Sequence, residues 1–418
     1  MVSTKKQKLK VLINAYACCP NMGSEPGMGW NWVVNLAKYC ELYIITEGEF
    51  RDEIERVSPN LEQSSNMHFY YLPVEDRIRK MCWNQGDWRF YIYYKKWQKR
   101  AAELAGEICR QEKINILHQL NMIGFREPGY LWQVSQKTGI PFVWGPVDAK
   151  ESFPIAYVKG ESFKKQLFYR AKNQITKWQL KYSHRVRHAI KSASLVLSAS
   201  SNSVACFRKY YSLNSFLMNE TGACILDNNP PVIHKHDGIF NIMWVGKMDI
   251  RKQLGLAIKS VASAGLAHFC LHVVGHGDTD FYKREAEKYG IFDKCIFYGS
   301  ISHHEVQQLM QTSDMLLFTS VSEGTPHVVV EAIRNQLPVL CFDTCGQGDS
   351  VTEKIGIKIP LTNPERSISD FSDKIRFLYH HRDVLAQMSA NCQARSEELS
   401  WDRKAKQMSE LYNKVVWN

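Results

Sequence analysis

Two acids eight positions apart, Glu323 and Glu331, stand in the stretch FTSVSEGTPHVVVEAI, Phe318 to Ile333. A Gly-Thr-Pro turn lies between them, so one carboxylate falls in a loop and the other inside a helix. Carboxylates accept pairs of hydroxyl hydrogens, and polyols such as ribose and hexose present such pairs. A helix N-terminus in the same stretch exposes unpaired amides and roughly half a positive charge, which suits phosphate or sugar oxygens. Thr325 reads as the N-cap and Pro326 as the first helical residue, where proline loses no hydrogen bond. The pattern fits two acids gripping hydroxyls around a diphosphate. On spacing alone, it equally fits a capping acid followed by an ordinary surface glutamate. Upstream, IMWVGKMDIRKQ sets Gly246, Lys247, Arg251 and Lys252 directly after an apolar run ending at Val245, and VVGHGD offers Gly275 and Gly277 for close backbone approach.

These residues need a frame of strands. Short apolar runs over 10–14, 42–46, 67–74, 114–120, 141–144, 195–198 and 216–219 read as strands. A helix between the first two carries Trp30, Val33, Val34 and Ala37 at helical spacing. DNNPPVIHKHDG, 227–238, is a polar, proline-bearing break of the kind that joins domains. The alternation restarts with 239–245, 269–274, 294–298, 315–319, 338–342 and 355–359. Strand–helix alternation implies parallel sheets with right-handed crossovers. The chain therefore reads as α/β, with two doubly wound, Rossmann-like domains over 1–228 and 239–398. In such sheets ligands bind beyond the carboxyl ends of strands, so the chemistry belongs in loops facing an interdomain cleft.

A length of 418 residues suits two such domains, and 44% hydrophobic with 23% charged residues is ordinary for a globular protein. No run approaches the roughly 18 apolar residues of a spanning helix. The lysines ahead of Leu9–Ala17 imitate a signal peptide, but Asn14 and Tyr16 fit a first strand better. Twelve cysteines without a C-x-x-C pair read as free thiols of a reducing cytosol. Cys341 and Cys345 lack the second half of a zinc site. The net charge of +11 is concentrated in 150–191, where aromatic and aliphatic residues interleave with lysines and arginines. The segment 87–100, DWRFYIYYKKWQKR, repeats the style. Such mixtures suit an anionic membrane surface, or a helix with its aromatics in the core and its charges in water. No nucleic-acid-binding motif accompanies them.

Taken together, SEGTPHVVVEAIRNQLPVL, the Gly-Lys loop and VVGHGD resemble the C-terminal half of retaining glycosyltransferases of family 4, which have the GT-B fold. CCPNMGSEPGMGWNWVVNLAKY, HQLNMIGFREPGYLW and PFVWGPV resemble the N-terminal half of one branch of that family. LSWDRKAKQMSELY resembles its closing helix, here 399–418, which crosses back onto the first domain. The resemblance implies that Glu323 binds hydroxyls of the transferred sugar and Glu331 the ribose of the nucleotide. It also implies that amides of Gly324 and Thr325 face sugar and diphosphate. Lys252 matches the family's diphosphate lysine, and Lys247 stands where an arginine is usual. Lysine gives a point charge rather than a fork, and Arg251 could compensate. The glycine-rich turn 23–29, with Gly27, should approach the phosphates from the first domain.

On this resemblance the leaving diphosphate takes up negative charge, and Lys247 and Lys252 are its main electrostatic stabilisers. Family 4 enzymes are thought to retain configuration by a front-face route without a protein nucleophile, and no metal or cofactor is expected. Many relatives carry an acceptor-side histidine after the fifth strand; the stretch here reads WGPVDAK, leaving Asp148 and His118 as candidates. His118 also reads as a satisfied core histidine. Asp278-Thr279-Asp280 spells the metal–diphosphate motif of the other large glycosyltransferase fold, but its place at a helix start makes it an N-cap. The resulting expectation is a cytoplasmic enzyme at the membrane surface. It would pass a hexose from a nucleotide-sugar to a lipid-linked or oligosaccharide acceptor of cell-surface polysaccharide such as capsule or lipopolysaccharide. An epimerase of the same fold and a non-catalytic sugar-nucleotide-binding scaffold are the rivals.

Overall fold

The computed structural model describes residues 8–84, 87–224 and 238–417. The break expected at 227–238 lies, except for its last residue, outside them. Buried apolar runs become strands in two all-parallel sheets. The first holds β1 (Lys10–Ala15), β2 (Glu41–Thr46), β3 (Met67–Tyr71), β4 (Ile116–Asn121), β5 (Phe142–Val147), β6 (Ala193–Ser198) and β7 (Phe216–Leu217), in the order β3-β2-β1-β4-β5-β6-β7. The second holds β8 (Phe240–Val245), β9 (Phe269–Val274), β10 (Cys295–Gly299), β11 (Met315–Phe318), β12 (Val339–Phe342) and β13 (Gly356–Ile359), in the order β10-β9-β8-β11-β12-β13. Each expected strand has its counterpart. β3 stops three residues early, ahead of Pro73, which has no N–H to extend the ladder.

Strand order reverses between β1 and β4 in the first sheet and between β8 and β11 in the second. Crevices open at such points because the crossovers leave to opposite faces. Register is fixed by burial on both faces: Ile13 pairs with His118 and Leu12 with Tyr43, all buried. Both sheets have an apolar cluster on each side. Tyr157 crosses this division: its ring meets Phe342 edge-on at 5.7 Å and its hydroxyl bonds Ser367 Oγ at 2.7 Å, so a segment before residue 228 completes the second lobe's core.

The closing helix, Trp401–Trp417, packs along the Ser24–Leu36 helix of the first lobe. Trp401 meets Trp32 edge-on at 5.5 Å, and Ala405, Met408 and Tyr412 are fully buried there. Burying each large side chain contributes about 1.5–3 kcal/mol. Twelve cysteines are free, seven of them buried.

Candidate functional site

The two reversal points face each other, and their loops enclose a cavity of about 510 Å³. From the second lobe come the β8 loop with Gly246, Lys247, Arg251 and Lys252, and the β11 loop with Glu323, Gly324, Thr325 and, a helical turn on, Glu331. From the first lobe come Gly23, Ser24, Glu25 and Met28 of the helix after β1, Ile123 after β4, and Glu220 after β7. A second hollow of about 770 Å³ shares Gly23, Ser24, His327 and Glu331 with it and adds Gly27, His303 and Arg334. The residues singled out on the second lobe thus converge.

Lys252 is the best fixed of them. Its Nζ lies 2.8 Å from Glu323 Oε1 and 4.9 Å from the Phe318 ring centroid, and both partners of the ion pair are largely buried. Its stem crosses Gly246, where a Cβ would come within 3.2 Å of Lys252 Cδ. Ser320 Oγ donates to the same Glu323 oxygen at 2.6 Å, and Glu323 N–H donates to Cys345 Sγ at 3.4 Å. By contrast, Lys247 is exposed at the rim, and Arg251 forks onto Asp249 at 2.8 and 3.2 Å. The two lysines expected to act alike are therefore unequal: only Lys252 sits where a low dielectric strengthens its charge. Burial pushes the Glu331 carboxyl up, against the pull of His303 and Arg334.

Several expectations need correction. Residues 24–29 are not a turn but the first turns of the Ser24–Leu36 helix. The glycines are there for packing: a Cβ on Gly27 would lie 1.8 Å from Met22 O, and one on Gly29 2.2 Å from Ala17 O. Thr325 is not an N-cap; Pro326 holds that position. The Thr325 hydroxyl donates across the gap to Ala199 O at 3.3 Å, and its amide donates to Glu220 Oε1 at 3.2 Å, so that amide is already engaged. His118 does not face the cleft. It is fully buried; its Nε2–H donates to Gly145 O and the Tyr412 hydroxyl donates to Nδ1, each at 2.6 Å. Burial lowers its pKa to about 4, so it is neutral. Asp148 pairs with Lys150 at 3.1 Å and accepts from Ser203 Oγ at 3.4 Å. Asp278 caps the helix beginning at Thr279 by accepting from Phe281 N–H at 3.0 Å. Among the described residues, no three His, Cys, Asp or Glu side chains group as metal ligands.

Sequence reasoning missed the first lobe's acids. Glu25 lies against the cavity with Oε1 accepting the Ile123 amide at 2.8 Å. Glu220 is 6% exposed; its Oε2 is buried without a hydrogen-bond partner among the described residues, while Oε1 lies 2.9 Å from where a Gly324 Cβ would be. Burial raises its pKa to about 8, helped by the charges of Asp148 and Glu25 against the pull of the Thr325 amide and Lys150.

An acid whose folded pKa is raised binds its proton in the folded chain after the unfolded chain has lost it. Stability therefore falls as pH rises from about 4.5 to about 8. Glu220→Gln keeps the shape and the acceptor for Thr325 but has no charge to desolvate. Its unfolding free energy in urea titrations should match wild type near pH 5 and exceed it at pH 8, by up to about 4 kcal/mol if the whole shift is expressed. Parallel pH profiles for the two proteins would contradict a buried, protonated Glu220.

Residues 228–395, which span most of the second lobe, match the family model of glycosyl transferases group 1. The chain is 25% identical over 177 residues to the sulfoquinovosyl transferase SQD2 of Arabidopsis thaliana, covering 42% of this chain and 34% of that protein. It is 30% identical over 115 residues to the lipopolysaccharide glucosyltransferase WaaG of Escherichia coli, covering 27% and 30%. These matches span about a third of the relatives' length. Among solved structures, Anabaena Alr3699/HepE in complex with UDP and glucose superposes with a TM-score of 0.61 at 15% identity, over 97% of this chain and 100% of that one. The two-lobed architecture is the GT-B fold.

Proposed function

We propose that the chain is a retaining, metal-independent glycosyltransferase of family 4 type that moves a hexose from a UDP-sugar to a lipid-linked or oligosaccharide acceptor. The observation that carries this reading is the convergence of Lys252, Glu323 and Glu331 from separate loops on one interlobe cavity. The likeness to a structure holding UDP and glucose supports uridine as the base. The likeness to a lipopolysaccharide glucosyltransferase supports a cell-surface acceptor.

In this reading Glu331 takes the ribose hydroxyls in the larger hollow, and Lys252 and Arg251 face the diphosphate. Glu323 turns from Lys252 to the hydroxyls of the sugar. The C1–O bond to the diphosphate breaks as the acceptor oxygen approaches from the same face. The acceptor's proton passes to a phosphate oxygen, which balances the leaving charge without a protein nucleophile. Donors already aimed at that charge act in the transition state. A thermal-shift panel of UDP-, GDP- and ADP-sugars tests the donor. A UDP-sugar at a hundredfold excess over Kd should stabilise the fold by about 2.7 kcal/mol. Glu331→Ala should weaken that binding by about tenfold or more, as expected for a lost hydrogen bond to a charged group. A nucleotide shift untouched by Glu331→Ala would remove the ribose assignment.

The basic segment supports a position at the inner face of the membrane. In the Phe163–Tyr182 helix, Phe163, Leu167, Phe168, Ile175, Trp178 and Tyr182 are exposed, whereas Asn173, Thr176 and Leu180 face the protein. At 3.6 residues per turn the exposed six fall within roughly 140° of arc, with Lys165, Arg170, Lys172, Lys177 and Lys181 flanking them. The alternative in which these aromatics enter a core does not hold for this helix. No helix among the described residues is long and apolar enough to cross a membrane. An interfacial helix of this kind adds about 1 kcal/mol per basic residue on anionic lipid. The protein should float with phosphatidylglycerol-containing vesicles but not with pure phosphatidylcholine, and F168S/W178S should release it. Equal flotation with both lipids, or with neither, would contradict this placement.

A further inference from the structure

The first lobe holds a cavity of about 580 Å³ to which no role has so far been given. It lies between the N-terminal end of the Phe90–Gln111 helix and the C-terminal end of the Phe163–Tyr182 helix, the latter contributing Gln179. Glu25 and Ile123 line both it and the donor cavity, so the two hollows meet where the sugar's reactive carbon would lie.

Its wall is of two kinds. Met122, Ile123, Phe125, Trp88 and Tyr91 are apolar, and Trp88 stands 70% exposed at the mouth. Lys95, Arg126 and Arg185 are cations. Arg126 is held by neutral groups, donating to Gln179 Oε1 at 2.5 Å and Thr176 Oγ1 at 2.7 Å, and among the described residues no carboxylate lies within ion-pair reach of it. Arg185 pairs with Glu127 at 3.2 Å through Nη2, while its Nε is buried without a partner among the described residues. Three cations, two of them (Lys95 and Arg126) without an ion-pair partner among the described residues and the third with an idle donor, face two carboxyls that burial pushes toward the neutral form. Trp178 and Tyr182 of the exposed apolar stripe neighbour Gln179 in the chain, at the same end of the 163–182 helix.

We propose that this cavity is the acceptor site and takes a phosphate or diphosphate borne on an apolar chain. The anion would sit against Arg126 and Arg185, the chain would leave over Trp88 and Tyr91 toward the membrane-facing helix, and the acceptor hydroxyl would point past Glu25 into the donor cavity. A fork of guanidinium donors matches phosphate oxygens two at a time. This rests on the glycosyltransferase reading and specifies its second substrate. An acidic sugar could offer the same charge, but it would leave the apolar mouth unfilled.

The test uses the full chain and geranyl diphosphate as probe, titrated calorimetrically after saturation with UDP so that the donor-side cations are occupied. Geranyl diphosphate should bind at least tenfold more tightly than inorganic diphosphate or a glucuronate-terminated disaccharide. Arg126→Ala and Arg185→Ala should each weaken it at least tenfold. Trp88→Ala, at a side chain too exposed to affect folding, should weaken it several-fold while leaving inorganic diphosphate unchanged. Binding that prefers the disaccharide, is absent, or is indifferent to all three substitutions would overturn the assignment. Failure of the donor reading would show separately, as no UDP binding in the first titration. The probe would then be run without UDP, where loss of binding in Arg126→Ala but not in Lys252→Ala still supports the cavity and the reverse overturns it.

Discussion

Lys252→Ala is expected to lower turnover by about 10²–10³, the usual consequence of removing one donor aimed at developing charge. The side chain is already in place before any ligand arrives, pinned by Glu323 at 2.8 Å and by the face of Phe318. When Glu323 turns to the sugar, the ammonium itself therefore needs little reorganisation, held against Phe318 beside the cavity. Lys247, exposed at the rim, should matter much less, because water screens it. Lys252→Arg should recover part of the loss, since the charge returns with a different geometry. Initial rates with a UDP-sugar, with and without acceptor, provide the comparison. Turnover within tenfold of wild type, or equal losses for Lys247→Ala and Lys252→Ala, would take Lys252 out of its role.

The second large effect is structural. Tyr412→Ala should destabilise the chain by about 3–5 kcal/mol, as large-to-small changes in a core do. Tyr412 is fully buried on the closing helix, and its hydroxyl satisfies Nδ1 of His118 in the centre of the first sheet. The substitution empties a cavity and orphans a buried ring nitrogen at once. Tyr412→Phe removes only the hydroxyl and should cost about 1–3 kcal/mol, the desolvation of an unpaired group. Midpoints of chemical unfolding for the two variants separate the packing from the polar contribution. If Ala and Phe proved equally mild, the helix would not be bound as described.

The strands were legible because a strand buried on both faces reads as an unbroken apolar run, and that signal depends on no distant residue. Glu323, Glu331 and Lys252 were legible because their loops lie close in sequence to strands β8 and β11. Glu220 and Glu25 were not. Each is a lone acid without a spaced partner, carried to the cavity by β7 and by the helix after β1. Residues 23–29 looked like a turn because glycine and proline usually mark one; here Met22 O and Ala17 O leave no room for a Cβ inside a helix. Thr325 looked like a cap because a hydroxyl before proline usually is one, and nothing local announces that Ala199 O will claim it. His118 shows the converse, a polar residue in a strand whose two partners come from β5 and from the opposite end of the chain.

The most direct measurement is a crystal structure of the full chain with UDP bound. The diphosphate should lie between Lys252 and the helix that begins at Ser24, with the ribose hydroxyls on Glu331. UDP bound away from the interlobe cavity, or within it but with Glu331 and Lys252 out of reach, would contradict the proposed site.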